Sequence, residues 1–281
     1  MVEIEELWSK RDEEQLHALR GAAPKGDYAG ALFAIEGAEE LAQLSAARQL
    51  EAWGAQTRAR LEGGLFPATP EGQARALADV LSVQDGLIGD RDDYHAIQNS
   101  QFTQVIARRR GLPILLSLIW VEVGRRAGVE VTGVGMPAHF LARVGGAGGV
   151  LVDPFAGGKL LTVDDCRKIL RELSGGQTPW SDTYLTPSPP LLVLERVLRN
   201  LVNAYGQQGD QVEMFRIVSL LCGLRPEAPL AHLQRAELAE ELGADALAAA
   251  AYGDVARRFA GTREAAIAAG KIRQQKPQVL Q

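Results

Sequence analysis

Cysteine is scarce: the 281 residues contain two, Cys166 and Cys222. A pair so far apart builds neither a disulfide framework nor a thiolate metal cluster, and it suits a reducing compartment. Long apolar runs are missing, since no stretch reaches the roughly 18 residues that a membrane-crossing helix needs. The opening, MVEIEELWSK, is acidic where a secretory signal is basic and then apolar, so the expected location is the cytoplasm. Positive charge is not in excess either. Against 30 Lys and Arg stand 35 Asp and Glu, a net charge of −5, which gives no electrostatic reason to expect nucleic acid or an anionic membrane as a partner. The one basic run, Arg108, Arg109 and Arg110, reads as a solvated helix end. The four histidines show no metal-ligand spacing. The glycine-rich run 145–149 joins two strands and opens no helix, so it is not a phosphate loop. No metal and no cofactor are expected, and no signal for an oligomeric state is present.

What is present is a chain that is 46% hydrophobic, enough to bury a sizeable core in one or two domains. Residues 1–98 read as helices. Ile4, Leu7, Trp8, Leu16 and Leu19 share one face of the first, and Asp27 can N-cap a second carrying Leu32, Phe33 and Ile35. A third runs over about 39–62 with Leu41, Leu44, Leu50, Trp53 and Leu61 inward, and Thr69-Pro70 starts a fourth. The stretch 86–90 reads as a loop. The chain is organised around residues 99–158. There a helix breaks at Gly111, and Pro113 suits the first turn of the next, where its missing N–H has no partner to lose. Ile114, Leu115, Leu118, Ile119, Val121 and Val123 cover most of that helix's circumference, so it is central. Arg125 and Arg126 sit in its last turn, and Gly128 is placed as C′. Strands follow over 131–136 and 140–144, with His139 just ahead of the second, and a third ends at Asp153-Pro154. Thr162 and Asp165 form a capping box for a helix bearing Cys166. Residues 175–190 are rich in proline and glycine. Beyond them Gly209 recurs as Gly243, 34 positions on, each turning between two helices, which resembles the tetratricopeptide repeat.

The central stretch carries a family likeness. Asn99-Ser100, Arg109-Arg110-Gly111-Leu112-Pro113-Ile114, Gly133-Val134, Pro137-Ala138-His139-Phe140-Leu141 and Asp153-Pro154-Phe155 resemble the transglutaminase-like core, a relative of papain-type proteases. More closely they resemble its SirB-type bacterial branch, over roughly residues 27–260. The resemblance implies an α+β fold: a papain/transglutaminase-like core with a small antiparallel sheet and a central helix, a mainly helical N-terminal part, and C-terminal tetratricopeptide-like repeats. The corresponding domains are 1–180 (helical 1–98, core 99–174) and 181–281. In that core a Cys opens the buried helix, and His and Asp lie on adjacent strands. This chain departs at the nucleophile, with Gly111-Leu112-Pro113 where the active enzymes have Gly-x-Cys.

Two readings of His139 and Asp153 stand side by side: a retained site or its remains, and a buried hydrogen bond tying two strands. Ser117, one turn beyond Pro113, and Cys166, near a helix start that can lower a thiol pKa, are the substitute nucleophiles to weigh. Cys166 reads equally as a small buried residue. Asn99, Arg110, Gly111 and Pro113, matched by the likeness, are expected to build the cleft or support it. The expected function is a non-catalytic transglutaminase-like scaffold or regulatory protein that binds a protein or peptide through its helical repeats. The alternative is a hydrolase or acyl transferase in which His139 and Asp153 serve Cys166 or Ser117. A third reading has the cleft hold a small ligand without turnover.

Overall fold

A computed structural model describes residues 7–275; Ile4 and the polar tail from 276 lie outside them. The chain divides into two compact units, Gly26–Val197 and Met1–Lys25 with Leu198–Gln281. The opening helix α1 (Lys10–Ala22) therefore groups with the C-terminal helices. The division falls at Val197, inside a helix, whereas the sequence reading puts the boundary at 180, within the proline-rich run.

In Gly26–Val197, α2 (Tyr28–Glu36) starts at Asp27, whose carboxylate accepts from the Gly30 N–H, and ends at Gly37 with φ 61°. In α3 (Glu40–Glu62) the buried stripe is Ala46, Leu50, Trp53, Gly54 and Thr57. Leu41 and Leu44, expected inward, are 76% and 45% exposed, because the stripe begins only at Ala46. Helix α4 (Pro70–Ala78), capped by Thr69, widens into a π-helical stretch, Asp79–Gln84. Next come β1 (Ile88–Gly89), α5 (Phe102–Arg108) and β2 (Arg110–Gly111), with β1 and β2 pairing in parallel. Stretch 86–90 is thus half of a short ladder as well as a loop.

Twelve of the 15 residues of α6 (Pro113–Ala127) are buried, which makes it the centre of this unit; Gly128 ends it at φ 76°. Strands β3 (Val131–Val134), β4 (Leu141–Val144), β5 (Val150–Asp153) and β6 (Lys159–Leu161) form one antiparallel sheet in that order. Its fourth strand was not legible in the sequence. Helix α7 (Val163–Leu173), opened by the Thr162–Asp165 capping box, packs Cys166 and Leu170 against Val134, Met136, Leu141, Leu151 and Leu161. Each such apolar side chain contributes about 1.5–3 kcal/mol by leaving water. The proline-rich run is ordered where it covers the sheet edge: Ser188 N–H donates to Gly133 O at 2.9 Å, and Gly135 N–H donates to Ser188 Oγ at 2.9 Å.

Two carboxylates cap helices that are remote in sequence. Glu122 on α6, fully buried, accepts from the N–H groups of Tyr28 (3.1 Å) and Ala29 (3.3 Å) in the first turn of α2. Its other oxygen accepts from Arg125 at 2.9 Å and from Arg126. Burial and then the Glu122 charge push the Tyr28 hydroxyl up to about 12. Glu36 does the same for α5, accepting from the Thr103 N–H at 2.9 Å and from the Thr103 hydroxyl. Burial raises the Glu36 carboxyl, and the bonds from Thr103 oppose that rise.

The second unit is helical. Helix α8 (Pro190–Gln208) enters it, followed by α9 (Gln211–Leu224), α10 (Pro229–Glu241), α11 (Asp245–Arg258) and α12 (Arg263–Gln275). Gly209 and Gly243 turn their helix pairs at φ 75° and 73°. A Cβ at Gly223 would stand 2.3 Å from Leu16, so α1 lies close on α9, and Arg20 Nε donates to Gly223 O at 2.9 Å. Arg235 lies 5.1 Å above the Phe215 ring and donates to Ser219 Oγ. Among the described residues no helix is long and apolar enough to cross a membrane.

Candidate functional site

The site is assembled at the start of α6. Leu112 N–H donates to Asn99 O at 3.1 Å and Asp90 N–H donates to Gly111 O at 3.3 Å. Buried Asn99 donates through Nδ2 to Asp93 O (2.7 Å) and accepts from Arg108 through Oδ1 (3.1 Å). Arg108 also reaches Asp90 at 3.2 Å. Burial alone would raise the Asp90 carboxyl, but the Asp93 N–H, Asn99, Arg108 and Arg110 outweigh it and hold that carboxyl below the usual range. A Cβ at Gly111 would meet the Val105 methyls at 2.6 Å, so glycine alone fits there. The arginine run is not a free solvated end. Arg108, Arg109 and Arg110 pair with Asp90, Asp85 and Asp92 respectively. Arg109, at φ 60°, also lies 4.7 Å above the Trp53 ring. Arg110 is exposed and lies outside the cleft.

His139 leads into β4 and Asp153 ends the neighbouring β5. His139 Nε2 stands 3.1 Å from Asp153 Oδ2, and both side chains are buried. The other carboxylate oxygen accepts from the N–H groups of Phe155 (3.0 Å) and Ala156 (3.3 Å), so Asp153 is held in place from two sides. With Asp153 accepting, Nε2 carries the proton and the ring orientation is set. Ala138, immediately before His139, sits at φ 61°, a left-handed conformation that costs a residue with a Cβ about 1–2 kcal/mol. Ala138→Gly is expected to raise stability by about 1 kcal/mol in urea unfolding, since glycine relieves that clash. A loss of stability would mean that the methyl packs usefully.

Pro113, His139 and Asp153 line one cleft of about 420 Å³. Tyr94, Phe155, Ile169 and Leu173 form its walls, and the exposed Arg91 and Glu172 stand at its edge. The substitute nucleophiles are elsewhere. Cys166 lies in the apolar cluster between the sheet and α7, and burial, with the charges of Asp165 and Asp153, pushes its thiol up to about 11. Ser117 is fully buried and donates to Phe140 O at 3.3 Å. Asn99 and Gly111 fix the start of α6 from outside the cleft. Arg91, Tyr94, Ile169 and Leu173 were missed by sequence reasoning: they come from an irregular loop and from the far end of α7, and no motif marks them. Among the described residues no group of three His, Cys, Asp or Glu side chains could hold a metal ion.

A central helix opening onto a cleft, with a hydrogen-bonded His and Asp from adjacent antiparallel strands, defines a transglutaminase-like core. Residues 45–199, more than half of the chain, match the transglutaminase-like superfamily, and the chain belongs to it. It is 36% identical over 162 residues to a UPF0162 protein of Xylella fastidiosa, a match covering 56% of this chain and 58% of that protein. A UPF0162 protein of Pseudomonas aeruginosa is 31% identical over 175 residues, 62% of this chain and 64% of the relative. Human F-box only protein 21 is 33% identical over 143 residues, 48% of this chain and 22% of that protein. The chain thus spans less than two thirds of each of these relatives. No solved structure matches it.

Proposed function

We propose that this chain is a non-catalytic transglutaminase-like protein of the SirB type, a cytoplasmic regulatory scaffold that binds a protein or peptide partner. One observation carries the reading: the cleft that holds the His139–Asp153 pair has Pro113 at the helix start. In acyl transfer through a thioester the thiolate attacks, while imidazole and carboxylate only move and orient a proton. Proline has no group that attacks. Cys166, with its thiol near 11, ionises to only about one part in ten thousand at neutral pH, and the Ser117 hydroxyl is spent on Phe140 O. The helix pairs around Gly209 and Gly243 are read as two tetratricopeptide-like repeats, which suit partner binding. The stretch shared with F-box only protein 21 is 22% of that protein, which favours a module that works as part of larger assemblies.

The test is labelling at neutral pH with iodoacetamide and with an activated acyl ester, comparing the native protein with Cys166→Ser and His139→Ala. The expected result is no stoichiometric modification of Cys166, no dependence on His139, and no turnover. Cys166 labelling that needs His139, together with hydrolysis of an amide or ester, would overturn the reading.

A further inference from the structure

His139 brings one unanswered lone pair to the cleft. Its Nε2 proton is given to Asp153, so Nδ1 accepts and cannot donate. The residue is only 7% exposed, yet Nδ1 receives no hydrogen bond among the described residues. Five polar side-chain atoms among the described residues are sealed from solvent without a partner, in Thr57, Ser82, Trp120, Thr132 and Ser174. Nδ1 is not one of them, so this nitrogen opens onto the cleft that His139 lines. A nearly buried acceptor in that position calls for a donor from outside the chain.

The groups around Nδ1 narrow the guest. Asp153 is spent, with Oδ2 on His139 and Oδ1 on the N–H groups of Phe155 and Ala156. Glu172 and Arg91, of opposite sign, are exposed at the edge. The buried side chains of the cleft therefore offer one free acceptor and no donor. A carboxylate would face the Asp153 and Glu172 charges and find no side chain there to donate to it. An ammonium brings three donors for one lone pair, and a primary amide brings two donors and a carbonyl. An indole matches, because its single polar atom is an N–H donor and it has no acceptor to satisfy.

The walls suit the same ring. Phe155 stands edge-on to His139, with centroids 6.1 Å apart at 88°, and to Tyr94, at 6.0 Å and 68°. Such a corner receives another flat ring in the edge-to-face or offset arrangements that aromatic pairs prefer. Ile169 and Leu173 line the same cleft. From this we infer that the cleft receives a tryptophan side chain presented by the partner protein. The indole N–H donates to His139 Nδ1, and the ring lies among Phe155, Tyr94, Ile169 and Leu173. A volume of about 420 Å³ is at the small end of ligand sites, which suits one bicyclic side chain better than a length of chain. Tryptophan is also among the residues that most often anchor an interface by filling a pocket. The inference rests on the partner-binding reading given above and names the residue that the cleft recognises.

The experiment uses the full chain and calorimetric titration with capped pentapeptides that differ only in the central residue. That residue is tryptophan, benzothienylalanine (the same bicycle without an N–H), tyrosine or lysine; free indole is titrated as well. The tryptophan peptide is expected to bind saturably and the other three at least about tenfold more weakly, since benzothienylalanine would cover Nδ1 and leave it unpaired. Leu173→Ser, at an exposed position, should weaken the tryptophan peptide about fivefold through lost apolar contact, while Arg110→Gln, outside the cleft, changes nothing. His139→Ala should bring tryptophan and benzothienylalanine to within about twofold of each other, because the acceptor that tells them apart is gone. The comparison of those two peptides on the native protein decides the matter even where His139→Ala disturbs the fold. Equal affinity for the two, no binding of the tryptophan peptide at millimolar concentration, a preference for tyrosine or lysine, or indifference to Leu173→Ser overturns the inference. Free indole that binds where the tryptophan peptide does not overturns the partner protein as its source. None of these outcomes touches the non-catalytic reading, which stands or falls on the labelling experiment.

Discussion

Pro113→Cys is expected to create a thiol that alkylates at neutral pH at least about 100-fold faster than either native cysteine. The native thiols are poor competitors, since burial pushes Cys166 up to about 11 and Cys222 up to about 12. A cysteine at residue 113 would instead stand at a helix N-terminus, on the cleft that holds His139, and such settings lower a thiol to roughly 3.5–7.5. The gain in thiolate fraction at pH 7 is then several orders of magnitude, of which part is returned because a less basic thiolate is a weaker nucleophile. The backbone tolerates the change, because giving up a proline at a compatible position costs at most about 1 kcal/mol. The measurement is the rate of iodoacetamide labelling between pH 5 and 9, site-resolved by peptide mapping, in Pro113→Cys alone and combined with His139→Ala. A titration midpoint well below 8 that rises when His139 is removed is the expected outcome. A midpoint near the ordinary thiol value, unmoved by His139→Ala, would show that the helix start and the imidazole do not act on one point.

The second large effect is on stability. Glu122→Ala removes the carboxylate that caps α2 and pairs with Arg126, whose side chain is 11% exposed. Breaking a buried ion pair from one side costs about 3–5 kcal/mol, because the remaining charge and the freed donors stay out of water. The N–H groups of Tyr28 and Ala29 lose their acceptor as well. Urea unfolding should shift by that amount, and the melting temperature should fall by roughly 10 °C. Arg126 retains a bond to Glu51 at 2.7 Å, which sets the lower end of the range. A loss below about 1 kcal/mol would mean that water reaches the pocket and replaces the carboxylate.

The parts legible from the sequence are those governed by neighbours in the chain. Pro113 opening α6, Gly128 closing it, the Thr162–Asp165 box and the strand runs as far as Asp153 are all decided within a few residues, and the structure contains each of them, with β3 ending at Val134 where the run reads to 136. The His139–Asp153 contact was readable because the spacing of a family pattern stood in for the third dimension. What was not legible depends on distance along the chain. Glu122 reaches Tyr28 across 94 positions and Glu36 reaches Thr103 across 67; in sequence each is one more charged residue on a helix. The same holds for α1, whose apolar face could dock on any helix and is found on α9. Leu41 and Leu44 fit the period of a buried stripe but precede the point where a neighbour covers it. Arg91 was missed because a cation in an acidic loop reads as solvated until its aromatic platform, Phe155, is seen beneath it.

Gly89 gives the cleft its aperture. A Cβ there would lie 2.3 Å from the Phe155 ring, so the ring that carries the Arg91 guanidinium at 5.6 Å also rests against bare backbone. One added methyl group would displace this aromatic wall of the cleft and reshape the opening without altering a single charge. The cleft therefore has a mechanical stop separate from its electrostatics. Gly89→Ala should exclude bulky guests while sparing slender ones, and Phe155→Leu should relax that sieve.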